Sequence, residues 1–255
     1  MARDEELAEL AHPQFWNERY SSEKTIKQDG IQEVLDSFEW FGDFAKLRPF
    51  FLKHLPDSTS GSHILQLGCG NSTLTADIYN LGHTNQTSVD FSQVVIDAMQ
   101  LKYSSLETRW RVMDVRQLEL QDGSVDVAID KGTLDAMIHG SVWDPPDDVR
   151  SNVGQYVDEV ARVLKPGGQW LYITYRQPHF MKPLLTREGS WDLSVEVLAE
   201  DAGAFEYFGF IMKKHLNADL GHVTAPVVGK DEATLHVHSS SKIPGMILAN
   251  YDDAE

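Results

Sequence analysis

Two glycines and a series of aspartates carry the chemistry that can be read in this chain. The stretch Ile64-Leu65-Gln66-Leu67-Gly68-Cys69-Gly70-Asn71-Ser72 runs from apolar residues into Gly-x-Gly. If a strand leads in and a helix leads out, residues without side chains let the backbone N–H groups approach a ligand closely. A lone Gly-x-Gly is equally a tight strand–helix turn. The nicotinamide fingerprint needs a third glycine three residues after Gly70, and Thr73 stands there, which disfavours a pyrophosphate-binding dehydrogenase. Asp90 closes Thr87-Ser88-Val89-Asp90-Phe91, 20 residues beyond Gly70, where an acid can accept both hydroxyls of a ribose. Asp114 closes Val112-Met113-Asp114-Val115, where an acid and the next backbone N–H can read an adenine edge. A single strand-end Asp is ordinarily a turn former or a helix cap. Two at successive strand ends behind Gly-x-Gly point to an adenosine ligand. A further block, Asp130-Lys131-Gly132-Thr133-Leu134-Asp135-Ala136, ends a fourth apolar stretch, at the edge where ligand and substrate meet in open α/β sheets.

These residues need strands to end on. His63–Leu67, Gln86–Val89, Thr108–Met113, Val125–Ile129 and Gln169–Tyr175 read as strands. Ser72–Leu81, Ser92–Tyr103 (with Ser92 as N-cap), Thr133–Ile138 and Val149–Leu164 read as the helices between them, the last closed by Lys165-Pro166-Gly167-Gly168. Strands alternating with helices imply a doubly wound, mostly parallel sheet. After residue 190 the rhythm changes. Leu193–Leu198 and Glu206–Met212 read as strands with only a turn at Glu200–Ala204 between them, so they are expected to pair as an antiparallel hairpin. Residues 1–54 read as helical pieces, with Phe41–Leu55 apolar at close to a 3.6-residue period and stopped by Pro56. The stretch His215–Glu255 is polar and weakly patterned.

Composition narrows the partners. The chain has 255 residues, 22 Lys and Arg against 39 Asp and Glu, and a net charge of −17. Such a surface repels phosphate backbones, so nucleic acid is not expected as a partner and a basic protein or cationic ligand is. The excess is spread out: residues 1–40 hold ten acids and four bases, and residues 215–255 hold six and two. One cysteine, Cys69, excludes an intramolecular disulfide and fits a reducing compartment. No run of about 18 apolar residues is present, and the acidic start lacks the features of a secretory or transit peptide, so a cytoplasmic protein without a membrane span is expected. His236-Val237-His238 has no further ligand cluster beside it and reads as a solvated strand, so no metal is expected.

Together these residues resemble the class I (seven-β-strand) S-adenosylmethionine-dependent methyltransferases, over about Phe15 to Lys214 and including the terminal hairpin. The blocks Phe15-Trp16-Asn17-Glu18-Arg19-Tyr20, Glu39-Trp40-Phe41-Gly42-Asp43-Phe44, Leu67–Ser72, Met113–Val115 and Asp130–Ala136 are similar to those of the subgroup that methylates lysines of translation elongation factor 1-alpha. A close mitochondrial relative of that subgroup methylates citrate synthase. The resemblance implies S-adenosylmethionine as cofactor and S-adenosylhomocysteine as product. It implies a helical lid at 1–56, the methyltransferase domain at 57–214, an extension or partly ordered tail at 215–255, and a monomer. It also implies roles: Trp16, Tyr20 and Trp40 over the methionine end, Gly68 and Gly70 facing the cofactor, Asp90 and Phe91 at the ribose, Asp114 and Val115 at the adenine, and Lys131 reaching it from the fourth strand. Physical chemistry agrees where a sulfonium gains from aromatic faces and where Lys131 can pair a carboxylate. Phe91 stands where several relatives have Tyr or Ile, which leaves it adenine packing alone. Cys69 reads as a small packed residue, since methyl transfer needs no nucleophilic thiol.

For a lysine substrate the ε-amine must be neutral, against a reference pKa of about 10.4. Outer acids that steer a basic partner also favour its protonated form. A drier aromatic channel is therefore expected to lower the amine's pKa, with Asp130 as the candidate that orients it or, equally, as a structural carboxylate that braces the loop. The loop Ser141–Arg150 and His179, in Pro178-His179-Phe180, lie on the expected substrate side. Two other readings stay open at this point: a methyltransferase for a small molecule or another protein such as a metabolic enzyme, and a non-enzymatic binder that keeps the fold.

Overall fold

A computed structural model describes residues 7–22, 24–26, 33–198 and 206–217. Seven strands form one sheet: β3 (Ile64–Leu67), β4 (Gln86–Asp90), β5 (Arg109–Val112), β6 (Val125–Lys131), β7 (Leu164–Thr174), β8 (Trp191–Val197) and β9 (Phe208–Lys214). Their order is β5-β4-β3-β6-β7-β9-β8. The first five are parallel, and β9 pairs antiparallel with both β7 and β8. The strand order reverses at β3, between β4 and β6. The crevice above the carboxyl end of β3 is therefore the place for a ligand.

The helices are α1 (Pro13–Ser22), α2 (Phe44–His54), α3 (Leu74–Asn80), α4 (Gln93–Lys102), α5 (Thr133–Ala136), α6 (Asp147–Val163) and α7 (Pro178–Leu185). Alternation along the strands divides the core into two layers. Leu65, Leu67, Ala128, Trp170, Tyr172 and Phe210 face α6, whose Val149, Val153, Tyr156, Val157 and Val160 are buried against them. Ile64, Val127, Ile129, Leu171, Ile173 and Ile211 face the other way, onto Leu47, Phe50 and Phe51 of α2 and Leu74 and Ile78 of α3. Strands covered on both faces carry apolar runs, as β3 does apart from Gln66 and β6 does over residues 127–129. The edge strand β5 is exposed at three of its four residues.

Most expected elements stand within a few residues of their sequence positions, and Ser92 caps α4 by accepting the Val95 N–H. Three differ. The N-terminal part is not wholly helical: β1 (Lys24–Ile26) pairs antiparallel with β2 (Glu33–Leu35). Residues 165–168 do not merely close α6. β7 already pairs Leu164 with Val125, breaks register, and resumes at Gln169 opposite Val127, so Lys165–Gly168 form an irregularity inside the strand. The helix α7 was not expected from its pattern, although Pro178 at its first position is a good starter. The turn at Glu200–Ala204, the His236–His238 segment and everything beyond residue 217 lie outside the described residues.

Candidate functional site

The crevice is built on the β3–α3 loop. Gly68 and Gly70 both have left-handed backbones, with φ of +61° and +49°, which favours glycine. Their surroundings differ. A Cβ on Gly68 would lie 2.1 Å from Thr133 Oγ1, because that hydroxyl donates to the Leu67 carbonyl at 2.8 Å. Gly68 is thus demanded by contact within the chain, between the loop and α5. A Cβ on Gly70 would meet the Tyr20 hydroxyl at 3.0 Å, which sets Tyr20 over the loop. Cys69 between them is buried, and burial pushes its thiol up, away from nucleophilic use.

Asp90 stands at the end of β4 and is joined to this loop. Its carboxylate accepts the Gly70 N–H (3.0 Å) and the Ser92 N–H (2.9 Å). Burial, opposed by these hydrogen bonds, raises its pKa to about 6. Each carboxylate oxygen has two lone pairs, so both can still accept a hydroxyl. The Ser92 hydroxyl donates to Asn17 Oδ1 at 2.6 Å, which holds α1 against this corner. One strand over, the Met113 N–H donates to the Asp90 carbonyl, bringing Asp114 alongside. Arg116 grips the Asp114 carboxylate, with Nη2 at 2.6 Å and Nε at 3.0 Å and 3.1 Å. Burial works upward on Asp114, and the guanidinium outweighs it, holding the carboxyl below the usual carboxylate range. Val115 is buried in the core, and Phe91 is half-buried beside Asp90.

The segment 36–42 passes over the same edge as a strap. Asn71 Nδ2 donates to the Asp36 carbonyl (2.7 Å) and Lys102 Nζ to Ser37 Oγ (2.7 Å). Glu39 is its main fastening. It accepts the Ser72 hydroxyl at 2.8 Å and the Thr73 N–H at 2.6 Å, capping α3 from 34 residues away. It also accepts the Lys131 ammonium at 2.8 Å. Burial alone would raise the Glu39 carboxyl; the Lys131 charge and these hydrogen bonds hold it below its ordinary value. Lys131 donates further to the Trp40 carbonyl at 2.9 Å. Its side chain is only 4% exposed. A lysine buried to that degree needs a counter-ion, and here the counter-ion is Glu39.

Trp16, Tyr20 and Trp40 gather on this side. Ring centroids lie 5.7 Å apart for Trp16–Tyr20 and 6.3 Å for Trp16–Trp40. The Arg19 guanidinium carbon sits 5.5 Å from the Trp16 ring, 5.0 Å from Phe38 and 5.7 Å from Trp40. The cation over these rings in the structure is therefore Arg19.

Of the two roles open to Asp130, at the amine or as a brace, its surroundings favour the brace. It is fully buried, and its oxygens accept the Thr133 N–H (2.8 Å), the Leu134 N–H (3.0 Å) and the Tyr156 hydroxyl (2.8 Å). Burial raises its pKa to about 7. It caps α5 and braces it against α6. Two residues escaped the sequence reading. One is Glu39 as the tie between strap, loop and β6. The other is Asp135, buried and holding the Tyr172 and Thr174 hydroxyls at 2.8 Å and 2.7 Å and the Arg176 Nε at 3.1 Å. A lysine at the end of a buried strand was the available signal for Glu39.

A glycine loop after the first parallel strand, acids at the next two strand ends and a terminal antiparallel pair are the arrangement of a class I methyltransferase. Residues 65–172 match the family described as Methyltransferase domain. EEF1A lysine methyltransferase 4 of Mus musculus is 37% identical over 206 residues, covering 79% of this chain and 74% of that protein. Its Bos taurus counterpart is 40% identical over 172 residues, 66% of this chain and 62% of that protein. The eEF1A lysine and N-terminal methyltransferase of Bos taurus is 32% identical over 206 residues, and this chain spans 28% of its length. Among solved structures, a Pyrococcus horikoshii protein has a TM-score of 0.51 at 16% identity, covering 67% of this chain and 89% of that one. One solved for the conversion of a disulfide bond into a thioacetal group in echinomycin biosynthesis has 0.57 at 13%, covering 80% and 94%. These two share the fold. The chain belongs to the S-adenosylmethionine-dependent methyltransferases, in the family of the EEF1A lysine methyltransferase 4 proteins. Among the described residues no helix is long and apolar enough to cross a membrane, and no group of three His, Cys, Asp or Glu is placed to hold a metal.

Proposed function

We propose that this methyltransferase acts in the cytoplasm, as a monomer, on a lysine of translation elongation factor 1-alpha. The likeness to EEF1A lysine methyltransferase 4 over 79% of the chain carries this reading. The crevice fits the cofactor: at Gly70 a Cβ would fill the space below Tyr20, and Asp90 keeps acceptor capacity beside it.

In this reading Asp90 accepts the ribose hydroxyls. Asp114, with its charge fixed by Arg116, and the Val115 N–H read the adenine, with Phe91 packed on it. Gly68 and Gly70 shape the floor, while Trp16, Tyr20 and Trp40 cover the methionine end. Lys131 meets that end as half of an ion pair with Glu39. When bound, S-adenosylmethionine would supply a methyl group on a positively charged sulfur to the lone pair of a neutral amine, with the thioether as leaving group and the amine's proton passing to water. What the chain contributes is alignment and exclusion of water. With Asp130 buried elsewhere, no carboxylate is assigned to the amine. Trp40, Phe41 and Tyr175, the last two with ring centroids 5.4 Å apart, supply the dry surroundings that favour a neutral amine.

The test is methyl transfer from labelled cofactor to purified elongation factor, in parallel with extract from cells lacking the enzyme. Label on a lysine of the factor is expected. Label confined to other proteins would overturn the substrate.

A further inference from the structure

Large apolar side chains in the described part of the chain are mostly buried. Trp143 is 79% exposed, more than any other among those residues. It lies in the loop between α5 and α6. Its ring packs against Phe180 at 4.7 Å between centroids and 81° between planes, and against His179 at 5.8 Å. His179 and Phe180 belong to the first turn of α7, which follows β7. Since β6 and β7 are parallel neighbours, this aromatic cluster rises from the same carboxyl edge as the cofactor crevice.

Folding does not account for the position of Trp143, because most of the indole remains in water. Nor is the loop loosely held. Arg150 binds Asp144 at 3.1 Å and Asp147 at 3.3 Å, His139 bonds Asp148 at 3.1 Å, and the Asp144 N–H donates to Ser141 Oγ. Three carboxylates thus stand within five residues of Trp143 along the chain, on the loop and at the start of α6, with one guanidinium among them. The side chains of Asp144, Asp147 and Asp148 are 87%, 100% and 61% exposed. A preformed aromatic anchor in an acidic rim is the complement of a basic protein face, where aromatic residues supply affinity and rim charges supply encounter rate.

We propose that Trp143, braced by His179 and Phe180, is the docking point for a basic surface of the folded protein substrate, an inference that rests on the protein-lysine methylation proposed above. A small-molecule substrate would have no use for an anchor outside the crevice, and a second copy would bring the same acids together.

The test compares the full-length parent with Trp143→Ala and with Asp147→Lys/Asp148→Lys, on purified elongation factor and on extract from cells lacking the enzyme. For Trp143→Ala we expect KM for the protein substrate to rise at least tenfold, with kcat and the affinity for S-adenosylhomocysteine within twofold. For the double charge reversal we expect a lower kcat/KM whose salt dependence is flattened. If the parent labels a different protein and Trp143→Ala loses that labelling in the same way, the elongation-factor reading falls and the docking surface stands. If the factor is methylated by Trp143→Ala with unchanged KM, the docking surface falls and that reading stands. A parent that labels no protein overturns both. A parent dimer that Trp143→Ala converts to monomers overturns the docking surface by making it a self-interface.

Discussion

The ends of β4 and β6 begin alike. Each carries in its last two residues a buried aspartate whose carboxylate accepts backbone N–H groups, among them Gly70 and Ser92 for Asp90, Thr133 and Leu134 for Asp130. Burial raises both pKa values, to about 6 and about 7. What separates them is a side-chain donor. Tyr156 reaches across from α6 and closes Asp130 off, whereas Asp90 lies at the Gly70 corner under α1 with acceptor capacity left. A strand-end acid is therefore a site or a brace according to whether the rest of the chain completes its hydrogen bonds.

Replacing each aspartate by alanine would break this contrast if it is wrong. Asp130→Ala strands two amides and a hydroxyl in the core, at about 1–3 kcal/mol each. Thermal and urea unfolding should report a loss of about 3 kcal/mol or more, and the folded fraction should bind S-adenosylhomocysteine with near-parental affinity. Asp90→Ala should do the reverse. Calorimetric titration should show cofactor affinity at least tenfold weaker, since charge-assisted hydrogen bonds are worth about 1.5–3 kcal/mol each, with a smaller stability loss because no side chain from another helix loses its partner there. Parental affinity in a folded Asp90→Ala protein would make Asp90 a brace too.

The smallest effect sharpens the comparison through pH. Both groups hold protons in the folded state at pH values where an unfolded aspartate, with its pKa near 3.9, has lost them. The folded protein then binds more protons, and this contribution to stability grows as pH falls through about 7 and 6 and is complete below about 4. Melting curves of the cofactor-free protein should shift upward from pH 8 to pH 6, and Asp130→Asn should flatten that rise. In its proposed role Asp90 accepts the ribose hydroxyls as a carboxylate, so the extra stabilisation by S-adenosylhomocysteine should shrink below about pH 6. A cofactor shift that is constant down to pH 5 would place the ligand away from Asp90.

How far the sequence could be read follows from the range of each interaction. The strands and the Gly68–Gly70 loop were legible because buried parallel strands are apolar runs and their ends are marked by Gly and Asp, all local signals. Asp90 was placed from its 20-residue distance to Gly70. Between the two roles open to Asp130 the sequence could not choose, because the choice depends on a tyrosine 26 residues away on another helix. Glu39 went unread for the same reason: its partner Lys131 is 92 residues distant. The pairing of β1 with β2 had a faint signal in the Asp29-Gly30 dipeptide between them, outweighed by the helical look of what flanks it.

Glu39 has one further consequence. A single carboxylate ties the strap at residues 36–42 to the amino end of α3 and to β6, so the cover of the crevice and its floor share one fastening. Such sharing is reciprocal in free energy. Whatever factor the closed strap adds to the hold on a bound molecule, that molecule must add to the persistence of the closed strap. Entry and exit at this crevice are in that sense one equilibrium seen from two sides.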